Sequence, residues 1–204
     1  MQKAIIIANW KMNPGSSKEA WDLAEGIKKG VSDVADARVV LCPPFVFVPQ
    51  ILASENVELG GQDCFWENQG AFTGEVSPSM LKNLGCSYVI LGHSERKKYL
   101  GETLEMVNKK LKAALAAGLI PVVCIGEEIE KEMRTIFRDI ENWKLKIENL
   151  VLVYEPEWAI STAKNAKADS PEHVKDAIGR IKTIAGSDIP VLYGGSTNSK
   201  NIKG

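Results

Sequence analysis

Two short segments carry side chains able to move a proton. Tyr88-Val89-Ile90-Leu91 is an apolar, β-branched run that stops at Gly92-His93-Ser94-Glu95-Arg96, and Leu150-Val151-Leu152-Val153-Tyr154 stops at Glu155-Pro156. Runs of this kind suit parallel strands buried on both faces, and parallel α/β folds bind ligands at the carboxyl ends of their strands. One strand end therefore offers an imidazole and another a potential carboxylate base. Two more ends are polar: Asn9-Trp10-Lys11 after Ala4–Ala8, and Gly194-Gly195-Ser196 after Ile189–Tyr193. Singly, each has a plain explanation: a solvated lysine, a structural histidine, a rim carboxylate, a glycine turn. Four independent strand ends with such residues are harder to set aside.

The elements that must position these groups are legible from periodicity. Strands are expected at Ala4–Ala8, Arg38–Cys42, Val57–Gly60, Tyr88–Leu91, Ile120–Ile125, Leu150–Tyr154 and Ile189–Tyr193. The segments between them have helical period, so βαβ units and a parallel sheet follow. Ser16-Ser17-Lys18-Glu19 has the form of a capping box ahead of an apolar face of Trp21, Leu23, Ala24 and Ile27. Thr103 opens a helix with Leu104, Val107, Leu111, Ala114 and Leu115 on one face. Ser170-Pro171-Glu172 puts a cap before a proline at the first helical position, leading to Val174, Ala177, Ile178 and Ile181. The stretch from Gly61 to Pro78 is expected to be irregular. Phe65, Trp66 and Phe72 within it point to a partner surface, against the alternative of a loop folded back on its own domain.

At 204 residues a single domain spanning 1–204 is expected. Twenty-five Lys and Arg against 26 Asp and Glu give a net charge of -1, so composition offers no case for nucleic acid or an anionic membrane. No stretch reaches the ~18 apolar residues of a membrane span, and the first apolar run lacks the features of a secretory signal. A cytoplasmic location is the expectation. Cys42, Cys64, Cys86 and Cys124 form no C-x-x-C pair and read as buried free thiols, and with two histidines no metal site is expected.

Six segments together resemble the triosephosphate isomerase family, in the family's order and from end to end of the chain. They are Ala8-Asn9-Trp10-Lys11-Met12-Asn13, Gly70-Ala71-Phe72-Thr73-Gly74-Glu75-Val76-Ser77, Leu91-Gly92-His93-Ser94-Glu95-Arg96, Cys124-Ile125-Gly126-Glu127, Tyr154-Glu155-Pro156-Glu157-Trp158-Ala159-Ile160 and Tyr193-Gly194-Gly195-Ser196. The resemblance implies an α/β fold of the (β/α) TIM-type barrel class, the barrel for which this family is the type example. It implies interconversion of dihydroxyacetone phosphate and D-glyceraldehyde 3-phosphate through an enediolate, in glycolysis and gluconeogenesis, with no cofactor and in a homodimer or higher homo-oligomer. By the same resemblance Glu155 is the base, His93 the neutral electrophile, Lys11 a fixed positive charge, Asn9 an orienting group, and Glu95 the acid that positions the lysine. Pro156 to Lys164 resembles a lid. There, backbone amides including that of Ser161 wrap the phosphate and Ile160 presses on the base. Gly194, Gly195 and Ser196 resemble a second phosphate contact, and Phe72, Thr73 and Gly74 the arm that enters a neighbouring subunit.

The sequence also departs from the family pattern. Seven strands are recognisable and the eighth βα unit is missing before Gly204, so the edges of the first and seventh strands are expected to need covering. Unpaired buried backbone groups there cost about 1–3 kcal/mol each. Ser161 and Ala163 stand where glycines are usual, Glu157 where an apolar residue is usual, and Glu127 to Asn149 is short. A turnover below the family norm is expected. The competing reading is a catalytically weak or silent phosphate-binding barrel of the same family.

Overall fold

The computed structural model describes residues 3–139, 149–160 and 169–197. Strands and helices alternate as β1 (Ala4–Asn9), α1 (Ser17–Gly30), β2 (Ala37–Cys42), β3 (Val57–Gly61), α2 (Pro78–Asn83), β4 (Cys86–Leu91), α3 (Ser94–Leu100), α4 (Leu104–Ala116), β5 (Ile120–Ile125), α5 (Ile129–Ile136), β6 (Val151–Tyr154), α6 (Pro171–Ala185) and β7 (Val191–Tyr193). Short 3-10 turns lie at Phe45–Gln50 and Glu157–Ala159. All seven expected strands are present, their ends shifted by two residues at most. The chain divides into two compact units, Met1–Ile90 with Ala113–Ile120 and Leu91–Lys112 with Pro121–Gly204.

In the first unit β1, β2, β3 and β4 pair in parallel and in chain order. Asn9 lies opposite Cys42, so the ends of β1 and β2 are level. The register slips between Leu59 and Gly60. A Cβ on Gly60 would sit 2.7 Å from Cys42 Sγ and 3.2 Å from Tyr88 Cβ, so only glycine fits that crossing of three strands. Helix α1 begins as its sequence predicts, Ser16 Oγ accepting from Glu19 N at 3.3 Å. Its buried face differs from expectation. Ala20 and Ala24 are buried, whereas Trp21 is 51% and Leu23 45% exposed. At 100° per residue Trp21 and Leu23 lie about 200° apart and cannot share one stripe; the i, i+4 pair of alanines can.

In the second unit β5, β6 and β7 pair in parallel, with Ile125 opposite Tyr154 and Tyr154 opposite Tyr193. Each ladder continues one step past the strand, Glu155 N donating to Ile125 O and Gly194 N to Tyr154 O, both at 2.8 Å. Glu155 therefore leaves the sheet at a fixed height beside Gly194. A Cβ on Gly194 would lie 2.6 Å from Val153 Cγ1 and 3.5 Å from Glu155 Cβ, which explains the glycine there. All four residues of β6 are buried, as its unbroken apolar run requires. Helix α6 starts at the predicted cap, Ser170 Oγ accepting from His173 N with Pro171 in the first turn, and buries Ala177, Ile181 and Ala185. Burying a side chain such as Ile181 contributes roughly 1.5–3 kcal/mol.

All four cysteines are buried thiols outside any disulfide. Burial pushes the thiols of Cys42 and Cys124 well above the usual range and that of Cys86 up to about 11.

Candidate active site

Within the second unit the proton-handling residues meet. Gly92, with φ of +72°, turns the chain out of β4; a side chain there would press on Val107 and the Cys124 carbonyl. His93 then takes the N-cap position of α3, its Nδ1 accepting from Glu95 N at 3.2 Å. A nitrogen that accepts from an N–H cannot carry a proton, so the imidazole proton resides on Nε2 and the ring is neutral. That Nε2 lies 2.9 Å from Glu155 Oε1. The other carboxylate oxygen, Oε2, accepts from Ser94 N at 3.0 Å, at the amino end of the same helix. His93 is 8% exposed and Glu155 4%, so both act where water is scarce. The pair is thus a desolvated carboxylate held by two donors, facing an N–H: a base and a hydrogen-bond donor delivered by the ends of β4 and β6.

Helix α3 is pinned on both flanks. Arg96 Nε donates to Glu102 Oε2 at 2.6 Å, and Lys110 Nζ lies 3.3 Å from the same oxygen. Lys97 Nζ donates to Glu132 Oε2 at 2.7 Å, and that oxygen also accepts from Gly126 N at 3.1 Å. A Cβ on Gly126 would fall 2.6 Å from Glu132 Oε1. The helix that presents His93 is therefore tied to the loop after β5 by a carboxylate that needs a bare backbone beside it. The Cys124 thiol, raised by burial and then by the neighbouring Glu155 carboxylate, stays protonated and packs beside the base.

The first unit holds the other strand-end pair. Lys11 N donates to Asn9 Oδ1 at 2.9 Å, and Lys11 itself has φ of +54°. For a residue with a Cβ this left-handed conformation costs on the order of 1–3 kcal/mol and persists only where neighbours hold it. Gln62 supplies such a hold, donating to Lys11 O at 2.8 Å. On the long loop, Phe65 stacks on Trp66 at 4.0 Å and meets Phe72 at 4.7 Å between ring centroids. Phe72 remains 43% exposed, with Thr73 and Gly74 beyond it at the surface.

Of the residues singled out from sequence, His93, Glu95 and Glu155 come together, with Nδ1 of His93 3.7 Å from Glu95 Oε2. Gly194 lies against Glu155, Gly195 and Ser196 follow it, and Ser196 N donates to Ala159 O at 2.9 Å. Ile160, next in the chain, is buried. Asn9 and Lys11 are linked to each other in the first unit. Ser161 and the rest of the expected lid to Lys164 lie outside the described residues. Sequence reasoning missed Ser94 N, Gln62, the Lys97–Glu132 pair and Glu102 with Lys110. The GHSER cluster of charges was the one available hint for the ion pairs. Among the described residues, no group of three or more His, Cys, Asp or Glu is placed to hold a metal ion.

An acid–base pair at the strand ends of a parallel α/β chain defines an enzyme of general acid–base catalysis. The chain belongs to the triosephosphate isomerase family: the family model described as triosephosphate isomerase matches residues 4–204. It is an isomerase of the (β/α) TIM-type barrel class. Triosephosphate isomerase of Thermoanaerobacter pseudethanolicus is 43% identical over 220 residues, covering 99% of this chain and 88% of the relative. That of Dehalococcoides mccartyi strain CBDB1 is 41% identical over 220 residues, covering 99% and 85%. That of Geobacter metallireducens is 40% identical over 222 residues, covering 100% and 88%.

Proposed function

We propose that this isomerase interconverts dihydroxyacetone phosphate and D-glyceraldehyde 3-phosphate with Glu155 as the base. Glu155 takes a proton from the carbon beside the carbonyl and returns it to the neighbouring carbon, while neutral His93 donates Nε2–H to the oxygen on which charge develops. The observation that carries this reading is the 2.9 Å approach of Glu155 Oε1 to His93 Nε2, with Nδ1 committed to Glu95 N. Lys11 supplies a fixed cation for the enediolate and the phosphate dianion, Asn9 orients substrate oxygens, and Glu95 positions the lysine. Ile160, Ser161, Gly194, Gly195 and Ser196 form the phosphate-side contacts. Residues 1–204 act as one catalytic domain in the cytoplasm; among the described residues no helix is long and apolar enough to cross a membrane.

The direct test is an assay of purified protein coupled to glycerol-3-phosphate dehydrogenase. Conversion of D-glyceraldehyde 3-phosphate well above the buffer rate is expected. A rate equal to buffer, with phosphate still bound, would leave a silent phosphate-binding protein.

We infer a homodimer from the aromatic loop. Phe72, 43% exposed, presents an aromatic ring that suits a second copy better than water, and Val46 at 72% and Met12 at 93% add exposed apolar side chains in the same unit. Light scattering is expected to give twice the chain mass, falling to the monomer value for Phe72→Asp. A wild-type monomer at micromolar concentration contradicts this.

A further inference from the structure

We propose that Glu132 is a positioning residue for the acid–base pair, its carboxylate setting the height of Glu155 and the seat of His93 together. The proposal rests on the reading of Glu155 as the base.

The paired residues of β5 and β6 end at Ile125 opposite Tyr154, and one peptide unit, that between Ile125 and Gly126, carries the ladder on to Glu155. Its C=O takes the Glu155 N–H at 2.8 Å, and its own N–H donates to Glu132 Oε2 at 3.1 Å. A trans peptide is planar, with C=O and N–H pointing opposite ways. Glu132 and Glu155 therefore grip the two edges of one rigid plate. A tilt of that plate moves the base, and the Glu132 carboxylate opposes it.

The same oxygen takes Lys97 Nζ at 2.7 Å. Lys97 stands one helical turn beyond His93, and its N–H donates to His93 O at 3.2 Å. Glu132 Oε2 is thus the point where the mount of the base meets the mount of the imidazole: one peptide leads from it to Glu155, one lysine side chain to His93. Glu132 is 8% exposed, so both charge-assisted bonds act with little screening by water. Its place is fixed from behind by α5, where Glu132 N donates to Glu128 O at 2.9 Å. The chemistry required is a single acceptor. Because one oxygen takes both donors, glutamine can keep both contacts through its amide oxygen, whereas methionine fills the volume and accepts neither.

The test is a double-mutant cycle on the whole chain, read as kcat and KM, with circular dichroism and thermal melting as the check on folding. Glu132→Met is expected to lower kcat by about 10–100-fold with KM within about twofold, since it displaces reacting groups and leaves substrate contacts alone. Glu132→Gln is expected to recover kcat to within about fivefold of wild type. In a Glu155→Gln background Glu132→Met is expected to change the residual kcat by under about twofold, because no base is left to place. A loss of folded protein, by contrast, scales every background alike. Equal losses in both backgrounds, no loss with Glu155 present, or a glutamine variant as slow as the methionine variant overturn the proposal. Full turnover by Glu155→Gln alone overturns the reading of the base instead. Should Glu132→Met fail to fold, Gly126→Ala takes its place in the cycle, because a Cβ there falls 2.6 Å from Glu132 Oε1 and pushes the carboxylate off its donors. It is expected to lower kcat about tenfold with Glu155 present and under about twofold without it. Background-independent loss in that variant has the same overturning force.

Discussion

Glu155→Gln is expected to lower kcat by about 10²–10⁴-fold, the contribution of a positioned general base. Glutamine keeps the length and nearly the volume of glutamate in a site where the residue is 4% exposed, so packing against Cys124 and Gly194 survives. What changes is the chemistry of the two oxygens. Glu155 accepts from His93 Nε2 and from Ser94 N, and an amide can satisfy only one of these donors as acceptor. The variant therefore loses its basicity and one hydrogen bond together. Phosphate affinity is expected to stay within about twofold, because the phosphate contacts are assigned to other residues. Glu155→Asp separates placement from charge: the carboxylate remains but retreats by one methylene, and a misplacement of ~1 Å costs up to about 10²-fold. Steady-state kinetics of both variants, with inorganic phosphate as competitive inhibitor, measure these effects. A glutamine variant within tenfold of wild type removes Glu155 from the mechanism.

The largest effect on stability is expected at Glu102. Its side chain is 2% exposed, it takes Arg96 Nε at 2.6 Å, and Lys110 Nζ lies 3.3 Å away with its own side chain 3% exposed. Glu102→Leu strips a buried ammonium of this carboxylate, a change that costs about 3–5 kcal/mol. For a chain of this size that corresponds to a fall in Tm of about 10 °C. Removing both charges, Glu102→Leu with Lys110→Met, is expected to recover much of the loss, because well-packed apolar replacements of a buried pair are often neutral. The Glu102 Oε1 atom makes no hydrogen bond among the described residues, which strengthens that expectation. Urea and thermal melts of the two variants decide it. A single-variant loss under about 1 kcal/mol is incompatible with the pair bearing on α3.

Much of this layout was readable in advance because local chemistry dictates it. Apolar runs that end on Gly-His or Glu-Pro mark strands feeding a site, and Ser16, Thr103 and Ser170 cap their helices as their spacing predicts. The same reasoning placed Trp21 and Leu23 on a buried stripe that geometry assigns to Ala20 and Ala24. Counting apolar residues without their angular positions allows that error. The ties around α3 were beyond reach for another reason. Lys97 and Glu132 are 35 residues apart, and in a chain with 25% charged residues no pattern marks which acid meets which base. Gln62 gave no signal either: its role exists only once three strand ends are level.

The interior placement of all four thiols sets how the cysteines of this enzyme age. Oxidants and electrophiles act on exposed thiolates, and here folding hides all four thiols and disfavours the ionisation of Cys42, Cys86 and Cys124. Chemical injury at cysteine is then gated by how often a molecule opens, so a destabilised variant accumulates thiol damage in proportion to its open fraction while the thiols of the intact enzyme stay inert in the same reagent.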